Sequence, residues 1–150
     1  MRGEILLALH TDDRERFRKA IPDPGGVKFK RKNDLMLQSA AAIICFLSVA
    51  MGAFGAHGLE GKLSMEAQNW WDTATFYALP HGVATFTLAK LDQPEKLPGW
   101  LFVIGALLFS GSLYAMALGA PRWFGAITPL GGLAFLAGWA MLALSSLKRT

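Results

Sequence analysis

The sequence predicts an all-α integral membrane protein: four transmembrane helices in a compact bundle, with both termini cytoplasmic (N-in/C-in) and a short soluble N-terminal segment. Three observations carry this. Leu35 to Ala56, Trp100 to Ala120 and Phe124 to Leu147 contain no charged side chain, and each run holds roughly the 20 residues needed to cross a hydrocarbon core about 30 Å thick. A fourth run, Thr73 to Leu91 ("TATFYALPHGVATFTLAKL"), is long enough to span, and the ammonium of Lys90 at its end can snorkel to the headgroups. Finally, thirteen of the fifteen basic residues lie before Leu35, between the second and third spans, or after the fourth; only Lys62 and Arg122 fall on the other side. Basic residues near span ends mark the cytoplasmic face, so an even number of spans leaves both termini there.

The chain divides into residues 1–34, a polar cytoplasmic segment, and residues 35–150, the membrane domain, with helices at about 35–57, 65–91, 100–119 and 128–147. In the first part, Thr11 can cap a short charged helix, "DDRERFRKA", that ends before Pro22, and "PDPGG" makes a turn. The cluster Lys28, Lys30, Arg31 and Lys32 follows. It is read either as an orientation signal alone or as a contact for anionic lipid headgroups. Six acidic residues in this segment argue against a transit peptide, and the 22-residue run after it exceeds a signal-peptide core. The same topogenic charge accounts for the net charge of +4, so nucleic acid is not an expected partner.

The first span should end near His57 in "MGAFGAHGLEG". Ser64 then caps the second helix, with Glu66 in its positive first turn and Trp70 and Trp71 at headgroup level. Prolines in "LDQPEKLPG" break the chain before the third span. Trp123 provides a second anchor, and Thr128–Pro129 reads as a cap and first-turn proline. Cys45, the single cysteine, lies inside the first span and reads as a small buried apolar residue.

Between helices in lipid, close backbone contact and interhelical hydrogen bonds replace the hydrophobic effect. Ser48, Gly52 and Ala56 on the first span, Gly111, Ala115 and Gly119 on the third, and Ala134 and Gly138 on the fourth are small residues spaced by four. They are expected to form packing grooves, within one bundle or between subunits. On the second span Asn69, Thr73, Tyr77, His81 and Thr85 form a ridge in steps of four, expected to face the interior. Pro80 leaves the carbonyl of Phe76 without its helical donor.

His81 sits near the membrane midplane, either relaying protons or hydrogen-bonded in neutral form to Ser110, Ser112 or Tyr114. Three histidines with no close pair and no intramembrane carboxylate give poor support for a metal or haem, so no cofactor and no metal ligand is assigned. No nucleophile elbow, phosphate loop or metalloprotease helix is legible, so no catalytic residue is named. Asp72 reads as a solvated helix-start residue.

Taken together, "GAFGAHGL" from Gly52, "TATFYALPHGVA" from Thr73, "LFSGSLYAMALG" from Leu108 and "ITPLGGLAFLAGW" from Ile127 resemble, in order and spacing, the small inner-membrane family catalogued as domain of unknown function 423. That family includes a transmembrane relative in animal mitochondria. The resemblance covers about Met36 to Leu147 and implies a four-helix, multi-pass protein of the bacterial inner (plasma) membrane, with no activity to carry over. Its characteristic positions map onto Gly52, Gly55, His57, Gly58, Tyr77, His81, Ser110, Gly111, Tyr114, Pro129, Gly131, Gly132 and Trp139. Family members commonly begin near the equivalent of Met36, which raises the expectation that translation starts there. The leading functional expectation is a non-enzymatic accessory or assembly component, partnered by the bilayer and by a homo-oligomer or larger membrane complex. The competing one is a small-molecule or proton transporter that uses the polar core formed by His57, Thr73, Tyr77, His81, Thr85, Ser110 and Tyr114.

Overall fold

A computed structural model describes residues 32–91 and 96–148. Lys28, Lys30, Arg31 and the polar segment before them lie outside the described residues; Lys32 opens the first helix and is exposed. The helices are α1 (Lys32–Ala53), α2 (Met65–Lys90), α3 (Leu97–Ala117) and α4 (Thr128–Leu147). α1 runs into a π-helical turn, Phe54–Gly58, and a short 3-10 helix, Arg122–Ala126, precedes α4. Among the described residues there is no strand.

Among the described residues, three segments are long and apolar enough to cross a membrane: Lys32–Gly58, Leu97–Ala117 and Arg122–Leu147. α2 has 26 residues, about 39 Å at 1.5 Å per residue. Its threonines, histidine and asparagine make it the least apolar of the four. Its position explains this composition, because it packs against α1 on one side and α3 on the other, while α3 packs against α2 and α4. Half of the most apolar stretch of α3 is buried, against 17% for α1 and for α4. α2 and α3 are therefore the inner pair.

Short connections make each helix antiparallel to the next, and side chains tie both ends. At the end holding the start of α1, Lys96 Nζ donates to the carbonyls of Leu88 (3.0 Å) and Leu91 (2.7 Å) and lies 3.7 Å from Asp34 Oδ1. One ammonium thus caps the C-terminus of α2 and binds the first turn of α1. At the opposite end Ser64 caps α2 by accepting from the Ala67 N–H at 3.2 Å, and Arg122 pairs with Glu66 at 2.9 Å in the open.

α3 begins at Leu97, with Pro98 in its first turn, so the second proline of the connecting segment also opens the next helix. Thr128 is not a cap. The helix-preceding residue is Ile127, in helical conformation, while the Thr128 hydroxyl meets the Ser112 hydroxyl at 2.7 Å across the α3–α4 contact. Trp71 also departs from expectation. It is 1% exposed, held against Leu59, Ala67 and Ala117, and not at an interface. An indole whose N–H reaches a backbone carbonyl, here that of Met51, has its polar atom satisfied inside the fold and needs no place at its rim. Trp123, by contrast, is 64% exposed.

Candidate functional site

His81 is the centre of a polar and aromatic cluster that joins α2, α3 and α4. Its Nδ1 lies 2.7 Å from the Tyr77 carbonyl, and its Nε2 lies 3.1 Å from Trp139 Nε1 on α4. An indole nitrogen only donates and a carbonyl only accepts. Nε2 therefore accepts from Trp139, Nδ1 carries the proton and donates to Tyr77, and the ring is the neutral Nδ1–H tautomer. Phe135 stacks on the imidazole with centroids 3.6 Å apart, Phe102 meets it edge-on at 5.3 Å, and Tyr77 lies nearly parallel at 6.3 Å. The ring is buried, while Trp139 and Tyr77 are 48% and 40% exposed.

Glycines in the neighbouring helices admit these rings. A Cβ on Gly138 would stand 2.5 Å from Phe102, and one on Gly105 would stand 2.5 Å from Phe135. The partner of His81 is thus Trp139, and not Ser110, Ser112 or Tyr114. Ser110 instead donates to the Ala74 carbonyl of α2 at 2.8 Å, and Ser112 donates to Phe109 at 2.9 Å.

A second network links the other end of α1 to α2 and α3. Trp71 Nε1–H donates to the Met51 carbonyl at 2.9 Å, and the Thr75 hydroxyl donates to the Trp71 carbonyl at 3.0 Å. Since Thr75 spends its proton there, the Tyr114 hydroxyl, 2.7 Å away, donates to Thr75. The indole of Trp71 meets Tyr114 edge-on at 4.8 Å. Gly55 is what admits it, as a Cβ there would stand 2.6 Å from Trp71 Cδ1. The π-helical turn at Phe54–Gly58 lies beside this contact; such turns widen a helix by one residue.

The ridge of steps of four does not form one face. Each step of four advances about 40° around a helix of 3.6 residues per turn, so the first and last of five residues differ by about 160°. Asn69 is exposed, Thr73 half-buried and Tyr77 exposed, whereas His81 and Thr85 are buried, with Thr85 donating to the His81 carbonyl at 2.7 Å. His57 is exposed at the π-helical turn.

The small residues divide likewise. Ser48 is buried and donates to the Ile44 carbonyl, and Gly52 faces Thr75. Ala56 is exposed, and Ala115 and Ala134 are half-buried. Gly119 takes a φ of +97° in the turn after α3, which only glycine adopts readily. A Cβ on Gly111 would meet nothing within 4 Å.

Sequence reasoning missed the close approaches of Gly82 to Cys45 and Ile44 and of Gly99 to Leu37, and it reached Gly131, which stands against the Phe109 backbone, only through the family resemblance. No spacing rule finds them, because each is defined by what stands on the facing helix. Ile44, Leu47, Ser48 and Met51 of α1, Ala78 of α2, and Ala106, Leu107, Ser110, Gly111 and Tyr114 of α3 line an apolar cavity of about 200 Å³. Among the described residues no group of three or more His, Cys, Asp or Glu side chains converges as a metal site.

Comparison with known proteins finds membrane proteins of one family. The family described as "Protein of unknown function (DUF423)" matches residues 51–132. The chain is 45% identical over 111 residues to the UPF0382 membrane protein SH2409 of Staphylococcus haemolyticus, covering 71% of this chain and 91% of that protein. It is 42% identical over 115 residues to the UPF0382 membrane protein YwdK of Bacillus subtilis, covering 71% and 92%. With the UPF0382 inner membrane protein YgdD of Escherichia coli it shares 38% identity over 114 residues, covering 72% and 86%. No solved structure matches. With helices of membrane-spanning length and relatives of this extent, the chain is a membrane protein and belongs to the DUF423 family.

Proposed function

We propose that this protein is a non-enzymatic accessory or assembly component of the bacterial inner membrane, crossing it four times with both termini cytoplasmic and acting through contacts with other membrane helices. The observation that carries the reading is the closure of the polar interior. Both ring nitrogens of His81 are engaged, Thr75 and Tyr114 satisfy each other, and among the described residues no buried side-chain nitrogen or oxygen lacks a partner. A polar core bonded to itself holds helices in register; a conducting path needs groups that can exchange partners with what passes.

Support for α2 as a fourth span comes from its length and from its apolar outer stripe, Phe76, Leu79, Val83 and Phe86, whose exposures run from 36% to 72%. In water such a stripe on an inner helix is costly, whereas in lipid it is the ordinary surface. The inward-facing basic residues support the orientation.

Purification from membranes in mild detergent, followed by native mass analysis, tests the proposal. A stable oligomer or a stoichiometric membrane partner is expected, and a solitary monomer under gentle conditions overturns it. The transporter reading has its own test, ion and proton flux in proteoliposomes. Flux abolished by His81→Ala would displace the accessory reading.

A further inference from the structure

The outward stripe of α2 carries two polar groups that the described residues leave unsatisfied. The Tyr77 phenol is 40% exposed and makes no hydrogen bond among the described residues, although its ring packs on Phe109 at 4.9 Å. One residue before it, the Phe76 carbonyl lacks its helical donor, because Pro80 inside α2 has no N–H. Pro80 is exposed and Phe76 is 72% exposed, so the freed carbonyl lies on the outward side. An orphan donor and an orphan acceptor thus stand side by side.

On the reading of α2 as a span, their depth decides what can satisfy them. Tyr77 lies 12 residues from Met65 and 13 from Lys90, the ends of α2, about 18–20 Å from either at 1.5 Å per residue. Both groups therefore sit near the midplane of a hydrocarbon core about 30 Å thick. Lipid ester groups lie at the margins of that core, and it holds no water to fill the gap. The partner must be another buried chain that brings a donor and an acceptor to the same depth.

We propose that this partner is a second copy of the same chain, docked through the outward stripe of α2 about a two-fold axis along the membrane normal. Such an axis preserves depth and makes the interface isologous. The Tyr77 hydroxyl of each copy donates to the partner's Phe76 carbonyl, so two adjacent orphans in one copy become two reciprocal hydrogen bonds in the pair. Phe76, Leu79 and Val83 supply the apolar contact around them. The pairing deepens the accessory reading by naming the helix face and the partner.

Cysteine cross-linking of the full chain in native membranes, in a Cys45→Ala background, tests this. Val83→Cys, on the stripe, should yield cross-linked dimers; Leu133→Cys on α4, 61% exposed, should not. Tyr77→Phe keeps the ring and removes only the donor, and Pro80→Ala returns a helical N–H to Phe76. Each should raise the dimer dissociation constant in nanodiscs about tenfold, since each removes both symmetric bonds, with the circular dichroism spectrum of the monomer unchanged. Cross-linking at Leu133→Cys in place of Val83→Cys, or dimers indifferent to both Tyr77→Phe and Pro80→Ala, overturns the proposal. A chain that never self-associates but retains a different membrane protein overturns this pairing and leaves the accessory reading standing; a solitary chain overturns both.

Discussion

Trp139 on α4 donates its indole N–H to Nε2 of His81 on α2 across 3.1 Å, while the far nitrogen of the same ring faces the Tyr77 carbonyl at 2.7 Å. A single imidazole therefore connects the backbone of α2 to a side chain of α4, two helices whose other contacts run mainly through α3. The prediction is a strongly coupled pair. Trp139→Phe or His81→Phe should each destabilise the fold by about 1–3 kcal/mol, because each leaves the remaining polar atom unpaired. The double replacement should lose much less than the sum. Reversible unfolding in mixed micelles measures the cycle, and additive losses would sink the coupling. Nitrogen chemical shifts of the imidazole should report protonated Nδ1 and bare Nε2.

Gly55 is the doorway for Trp71. Replacing it with alanine puts a Cβ 2.6 Å from Trp71 Cδ1, and the indole cannot move without losing its 2.9 Å bond to the Met51 carbonyl. Overpacking of this kind destabilises by about 1–3 kcal/mol. Thermal unfolding of Gly55→Ala should show that loss, and adding Trp71→Leu, which vacates the volume, should make the alanine nearly silent. A Gly55→Ala protein as stable as the parent would refute the close approach.

Much of the fold was legible because lipid imposes a simple rule. A helix in hydrocarbon must be long, apolar and internally bonded, so uncharged runs mark α1, α3 and α4 to within four residues at each end. The site was legible only in part. His81 stood out as an ionisable group in an apolar run, and Tyr114 as a hydroxyl on a packed helix. Neither revealed its partner, since His81 meets Trp139 58 residues away and Thr75 meets Tyr114 39 residues away. Steps of four misled twice. They drift around the helix, which scattered the ridge from Asn69 to Thr85, and they note small residues without knowing what faces them. Trp71 was misread because a tryptophan near a span end has two stable homes, the headgroup region and a buried carbonyl.

Gly111 and Gly131 separate pattern from packing. Gly111 belongs to a regular series of small residues, yet an added methyl there meets nothing within 4 Å; at Gly131 it would stand 2.8 Å from the Phe109 Cα. Backbone cannot yield as a side-chain tip can. Gly131→Ala should therefore push α3 and α4 apart and destabilise by about 1–3 kcal/mol or more, while Gly111→Ala should change stability by less than about 0.5 kcal/mol. Denaturation of the two variants side by side checks the order. Equal effects would mean that spacing, and not the facing atoms, governs these contacts.

The two ionic ties should behave differently under mutation and salt. Arg122 and Glu66 are 81% and 55% exposed, so their 2.9 Å pair is screened and held by two long, mobile side chains; Arg122→Gln should change stability by less than about 1 kcal/mol. Lys96 and Asp34 are 15% and 18% exposed, and the Lys96 ammonium also donates to the Leu88 and Leu91 carbonyls at the end of α2. Among the described residues those carbonyls have no helical donor, and a cation at a helix C-terminus interacts favourably with the dipole. Lys96→Met should therefore lose about 1–3 kcal/mol, because it strips the cap and leaves Asp34 uncompensated at once. Asp34→Asn should lose less, since the cap survives. Raising salt from low to about 1 M, where the Debye length falls to about 3 Å, should weaken whatever the Arg122 pair contributes and leave the Lys96 cap largely intact. Unfolding of the three variants at both salt concentrations decides it. A Lys96→Met loss no larger than that of Asp34→Asn would mean that the ammonium acts only as a counter-charge and not as the cap of α2.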